Sequence, residues 1–147
     1  MGPEFSNGAA RFAQQRLMNE VIMVTQADAA FLGMMRLNEP LRRELERAVL
    51  VSSEAVPPDV ATMNSQVRYT DETEGVTRTV ALVYPPAARG GKTMVSVLAP
   101  VGSALLGLSA GQSIEWDFPD GSRHRLKLEE VLHQPERELR KPRRRAS

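Results

Sequence analysis

Val97-Leu98-Ala99-Pro100-Val101-Gly102-Ser103-Ala104-Leu105-Leu106-Gly107-Leu108-Ser109-Ala110-Gly111-Gln112-Ser113-Ile114 is the stretch that decides the fold. Pro100 suits the first turn of a helix, where the missing N–H would have had no intrahelical partner. Gly107 is placed to close that helix with a positive φ. Between them Val101, Ala104 and Leu105, with Leu108 beyond, predict a short apolar helix covering a curved sheet. Gly111 permits the turn into the next strand. Gly102-Ser103 is not a GxSxG elbow, and Ser103 reads as a cap or packing residue.

Downstream, Ser113 to Phe118, the turn Pro119-Asp120-Gly121 and Arg123 to Leu132 predict a β-hairpin. Ile114, Trp116 and Phe118 alternate onto one face, which reads as core. His124 alternates along the second strand and His133 sits near its end. They match no HExxH pattern and have no cysteine to help, so no metal ligand is assigned. Upstream, Met63 to Tyr69 and Thr77 to Tyr84 read as strands around the turn Asp71 to Gly75, and Met94 to Leu98 as a third. Pro85 to Lys92 reads as a loop. Gly90-Gly91-Lys92-Thr93 ends like a phosphate-binding loop, but Pro86 occupies the position of the first glycine and a strand follows where a helix is needed.

Farther upstream the period becomes helical. Thr25 is placed as N-cap with Asp28 as the capping acid. Ala27, Ala30, Phe31 and Met34 predict the apolar face of a helix over roughly Gln26 to Arg36. A second helix starts around Pro40, with Leu41, Leu45, Ala48 and Val49 as its face. Two short helices with a tight connection predict an antiparallel hairpin, a miniature coiled coil. Its tip holds Arg36, Asn38, Glu39, Arg42 and Arg43. The expected divisions are residues 1–19, a vector scar (Met1 to Phe5) and poorly ordered N-terminus; 20–52, the hairpin; 53–59, a linker; 60–135, the β-domain; and 136–147, a basic disordered tail. The fold class is α+β, a twisted antiparallel sheet with one short helix.

Composition sets outer limits. The 147 residues are 41% hydrophobic and 25% charged, ordinary for a soluble domain. Cysteine is absent, which excludes disulfides and thiol chemistry and suits the cytoplasm. No apolar run is long enough to span a bilayer. Net charge is +1, yet six basic residues stand against one acid from Arg137 onward, so the body is mildly acidic. Such a body is not a nucleic-acid platform. Arg140 to Arg145 leaves room only for a nonspecific nucleic-acid contact.

The segment from Val97 to Ile114 resembles the "SPIGxALLGxxxGD" signature of the C-terminal domain of bacterial Gre transcript-cleavage factors. Pro58 to Val67, Leu82-Val83-Tyr84-Pro85, and Ser113-Ile114-Glu115-Trp116 followed by Pro119-Asp120-Gly121 resemble one branch, the regulators of nucleoside diphosphate kinase (Rnk). The resemblance spans about residues 21 to 135. It implies an FKBP-like fold and bacterial RNA polymerase as partner. Gre factors insert a long coiled coil into the polymerase secondary channel, and acids at its tip help position a metal ion. Here a helix of roughly Gln26 to Arg36 spans only about 17 Å, and the tip offers Glu39 alone among Arg36, Arg42 and Arg43. The resemblance therefore implies a monomeric non-enzyme that competes with Gre factors at the secondary channel, with no catalytic residue, cofactor or metal. Expected polymerase contacts are Ser96, Ser103, Ser109, Gln112, Asp120 and Ser122. The rival readings are a peptidyl-prolyl isomerase, which seven aromatics in the whole chain supply poorly, and a nucleic-acid module using the Arg-rich tail.

Overall fold

A computed structural model describes residues 21–85 and 93–140. The expected N-terminal disorder, most of the 85–92 loop and the last part of the basic tail lie outside these residues. The elements are β1 (Met23–Thr25), α1 (Gln26–Leu32), α2 (Glu39–Glu46), β2 (Val49–Val51), β3 (Gln66–Asp71), β4 (Val76–Val83), β5 (Met94–Ser96), α3 (Pro100–Leu105), β6 (Ser113–Asp117), β7 (Arg123–His133) and α4 (Pro135–Arg140). The class is α+β, as expected.

The main sheet has the order β5-β4-β3-β7-β6. Its central pairings are antiparallel, Val67 facing Val80 on one side and Val131 on the other. The edge pair β4–β5 is parallel, with Leu82 opposite Val95, which corrects the expectation of a wholly antiparallel sheet. A parallel neighbour needs a crossover connection between the two strands. Opposite the steps Gln66–Val67 and Arg68–Tyr69, β7 carries an extra residue each time, Leu132 and Glu129, the kind of feature that bends a strand.

Helix α3 forms where the sequence places it. Ala104 and Leu105 are buried against Val67, Tyr69, Val80, Trp116, Leu126 and Leu128. Burying a leucine of this kind stabilises by about 1.5–3 kcal/mol. Gly107 has φ +87°, and a Cβ there would stand 2.7 Å from the Ile22 Cβ. The residues after α3 are clasped on two sides: Met23 N–H donates to Gly107 O, and Ala61 N–H to Leu108 O.

The N-terminal unit departs from the expected hairpin. Thr25 does cap α1, its hydroxyl accepting from Asp28 N–H. But α1 is only seven residues long, and β1 and β2 flank the two helices as a parallel pair, Val24 opposite Leu50. Val49 is thus a strand residue, not part of the second helix's face. The expected face of α1 is also corrected. Phe31 and Met34 are 51% and 78% exposed, while Leu32 is fully buried. Leu32 and Leu41 share a second core with Met63, Leu82, Val97 and Leu106. A core that takes side chains from α1, α2, the main sheet and the residue after α3 sets how the helices lie on it.

The C-terminal expectation is corrected for residues 136–140. Residues 135–140 form α4 instead of a disordered tail. Gln134 is buried, and its amide donates to Pro57 O and Val60 O, both at 2.8 Å. Arg137 donates to Pro58 O and Leu132 O, and Arg140 to Ser53 O and Glu54 O. These side chains satisfy carbonyls of the 53–60 connection and fasten it to the sheet domain.

Candidate functional site

The signature loop is where the two halves of the molecule meet. Asn38 caps α2, its Oδ1 accepting from Leu41 N–H at 2.9 Å. Its Nδ2 donates to Leu98 O at 3.2 Å and to Ser103 Oγ at 3.3 Å. Ser103 Oγ donates in turn to Val97 O at 2.6 Å. The expected hairpin tip is therefore tied down on the start of α3. Ser103, expected as an exposed contact, is 2% exposed and is corrected to a buried crosslink. Sequence reading recognised the helix but not this bridge, because Asn38 and Ser103 are 65 residues apart.

The other expected residues fall in separate places. Ser96 is half-buried and its hydroxyl accepts from Leu98 N–H. Ser109 and Gln112 lie together beyond the other end of α3, where Gln112 Oε1 accepts from Ser109 N–H at 2.7 Å and Nε2 donates to Val21 O. Asp120 and Ser122 share the β6–β7 turn. At the tip, Arg36 is exposed, and Glu39 is hydrogen-bonded to Arg42 with Arg43 at 3.5 Å. The Arg42 hydrogen bond above all holds the Glu39 carboxyl below its ordinary range.

Two clefts flank the turn that follows β6. One, of about 280 Å³, is lined by Asn38, Pro40, Leu98, Pro100, Trp116 and Phe118, among others. Trp116 is thus core and cleft wall at once. The second, of about 250 Å³, includes Tyr69, Asp71, Arg78, Phe118 and His124. His124 is 7% exposed, its ring stacked on Phe118 with centroids 4.0 Å apart. Its Nδ1 lies 2.6 Å from Asp71 Oδ2. The sequence reading passed over this pair because Asp71 opens a turn and His124 looks like one alternating strand residue. Among the described residues, Asp71, Glu74 and His124 are the acidic-and-histidine group compact enough to suggest an ion. The 2.6 Å separation is a hydrogen-bond length. Two ligands at about 2.0–2.1 Å from a tetrahedral zinc stand roughly 3.3 Å apart, so the pair fits a shared proton better than a metal.

The outward face of the sheet is neutralised strand against strand. Arg68 pairs with Glu130 at 2.9 Å, Arg123 with Glu115 at 3.3 Å, and Arg125 with Glu72 at 3.0 Å. Among the described residues this alternation makes no basic stripe for a phosphate backbone. No described helix is long and apolar enough to cross a membrane.

Comparison with known proteins agrees with this architecture. The family described as "Transcription elongation factor, GreA/GreB, C-term" matches residues 56–133. The regulator of nucleoside diphosphate kinase of Escherichia coli (strain K12) is 41% identical over 117 residues, covering 80% of this chain and 85% of the relative. The protein of that name from Shigella flexneri matches equally. The solved GreA/GreB elongation factor of Nitrosomonas europaea superimposes with a TM-score of 0.60 at 40% identity, covering 76% of this chain and 97% of that one. With a matched domain spanning more than half of its length and relatives this similar, the chain belongs to the GreA/GreB transcription elongation factor family.

Proposed function

We propose that this protein binds bacterial RNA polymerase at the rim of the secondary channel, competes there with Gre factors, and does not cleave transcripts. The observation that carries the reading is the state of Glu39. In a cleaving factor the tip acids reach the active centre and share a metal ion. Here Glu39 is held by Arg42 and Arg43, and the neighbouring Asn38 is bonded to the signature loop. A hard divalent cation needs several oxygen ligands, and one carboxylate already engaged by two guanidinium groups is a poor start. The helices, seven and eight residues long, span only about 10–12 Å.

In this reading the sheet domain is an FKBP-like docking platform and the compact helical pair fixes its orientation. The contacts are Ser96, Ser109, Gln112, Asp120 and Ser122, with Ser103 left out because it is buried. The protein acts in the cytoplasm, as a monomer and without a cofactor.

Two assays with the full chain test the proposal. It should displace a labelled Gre factor from core polymerase, and a double change of Asp120→Lys with Gln112→Lys should weaken that displacement by about tenfold, since a few contacts carry most interface energy. Added to a backtracked elongation complex with Mg²⁺, it should leave the RNA uncut. Cleavage that disappears in Glu39→Ala would reverse the reading of the tip.

A further inference from the structure

The hydrogen bonds around His124 fix where its protons are. Asp120 Oδ1 accepts from Ser122 N–H at 2.9 Å and from the Ser122 hydroxyl at 2.5 Å. A carboxylate only accepts, so the Ser122 hydroxyl proton is committed to Asp120. His124 Nε2 stands 2.9 Å from that same Oγ. Oγ can offer it only a lone pair, so Nε2 must carry a hydrogen and donate. Nδ1 faces Asp71 Oδ2 at 2.6 Å and must also donate. Two ring N–H groups make an imidazolium.

The Asp71 end is anchored independently. Asp71 Oδ1 accepts from Thr73 N–H at 3.0 Å and Glu74 N–H at 3.1 Å, which holds the β3–β4 turn. One unbroken chain therefore runs from that turn through Asp71, His124 and Ser122 to Asp120 in the β6–β7 turn. We propose that His124 is a proton-operated latch: its imidazolium lets Ser122 bond Asp120 and His124 at once, and loss of one proton leaves the β6–β7 turn only one of those two bonds.

The loss follows from donor counting. A neutral imidazole has one N–H. If it stays on Nδ1, with the buried Asp71, then Nε2 becomes an acceptor. The Ser122 hydroxyl then either turns to Nε2 and abandons Asp120, or stays and leaves two lone pairs facing each other at 2.9 Å. In both cases the turn loses a hydrogen bond and keeps the Ser122 N–H to Asp120.

The surrounding charges favour the imidazolium. Asp71 on β3, Glu74 in the β3–β4 turn and Asp120 in the β6–β7 turn are the acids facing the site; Arg78 on β4 is the opposing cation, and Tyr69 on β3 is the remaining titratable group. The Asp71 hydrogen bond pushes the His124 pKa up, outweighing burial, which pushes it down. A histidine pKa raised by folding adds stability that is complete below about 6.5, its ordinary value, and is lost as pH rises through the folded value. Because the turn carries Asp120 and Ser122, the latch would also set the shape of the contact surface, a consequence that rests on the polymerase reading. The test below needs no polymerase, so the two can fail separately.

The test is a pH titration of the full chain followed by NMR, with ¹⁵N-labelled histidine. His133→Asn leaves His124 as the sole reporter. At pH 7 both ring nitrogens should show the imidazolium signature. The midpoint should lie above about 6.5, and the backbone amides of residues 120–122 should shift with that same midpoint. Asp71→Asn keeps an acceptor for the Thr73 and Glu74 amides and should lower the midpoint. Ser122→Ala keeps the Asp71 pair, and there the amides should stop following the ring. A single protonated nitrogen at pH 7, a midpoint at or below about 6.5, or turn amides indifferent to the ring would overturn the latch. So would displacement of the Nδ1 proton by one equivalent of Zn²⁺.

Discussion

Residues 97–108 and residues 21–52 are held in opposite ways. The first segment is packed on both sides: Val97, Ala104, Leu105, Leu106 and Leu108 are each at most 2% exposed, and Gly102 and Ser103 are buried between them. The second exposes much of its apolar surface, Phe31, Met34, Val49 and Leu50 included, and is fixed by Ile22, Val24, Leu32, Leu41 and a few polar ties through Asp28 and Asn38. The difference shows what the family signature encodes. Most of its residues are used up in building the fold, and few reach the surface. A signature that identifies the family so clearly therefore says little about which atoms touch a partner.

The sharpest way to break this comparison is at Gly102. A Cβ there would lie 2.0 Å from Ser96 O and 2.9 Å from Val95 Cγ1. The first obstacle is backbone, so the loop itself would have to move. Gly102→Ala should cost about 3 kcal/mol or more, the upper range for overpacking, read as a large fall in Tm. A change of less than about 0.5 kcal/mol, the scale of a neutral surface substitution, would show that β5 yields easily and that the packed segment is softer than its burial suggests.

What could be read in the sequence follows the reach of each interaction. The Pro100 start, the Gly107 stop and the β6–β7 hairpin rest on local preferences, and the structure contains all three. The Thr25 cap was legible for the same reason. The buried side of α1 was not. In a seven-residue helix, orientation is set by tertiary plugs such as Leu32, not by its own periodicity. Long-range polar links left no local signal either: Asp71 reads as a turn residue, Asn38 as a hairpin-tip residue, and Arg140 as the start of a charge run. Their partners are 53, 65 and 86–87 residues away.

A moderate effect is expected where the C-terminal helix fastens the 53–60 connection. Arg137→Ala with Arg140→Ala removes charged donors to Pro58, Leu132, Ser53 and Glu54 carbonyls. Most of these bonds are exposed, so water replaces much of what is lost, and the double change should cost about 1–2 kcal/mol. Hydrogen exchange should quicken at residues 53–58 and stay unchanged in α3. Equal quickening in both would mean that the two regions open as one unit.

The smallest effect separates charge from shape at the junction. Asp28 Oδ2 accepts from Met63 N–H at 3.1 Å, and Oδ1 faces the Tyr84 hydroxyl at 3.4 Å. Burial raises the Asp28 pKa against the opposing pull of the Met63 hydrogen bond, and nearby Glu136 raises it further. A carboxyl whose pKa rises on folding favours the folded state most below its unfolded value of 3.8, and that advantage is lost as pH climbs through the folded value. At pH 7 the junction therefore carries a charge that folding disfavours. Asp28→Asn keeps an acceptor for Met63 and offers a donor to the Tyr84 oxygen, without the charge. It should match or exceed the parent at pH 7 by about 1 kcal/mol or less, in line with replacing a buried charge by a neutral group. The gap should close as pH falls toward 4, where the parent's own carboxyl takes up its proton. Thermal melts at pH 7 and pH 4 measure both points. A loss of stability at pH 7 that vanishes at pH 4 would mean that the charge itself holds α1 to the sheet, and the junction would then be electrostatic where the signature segment is steric.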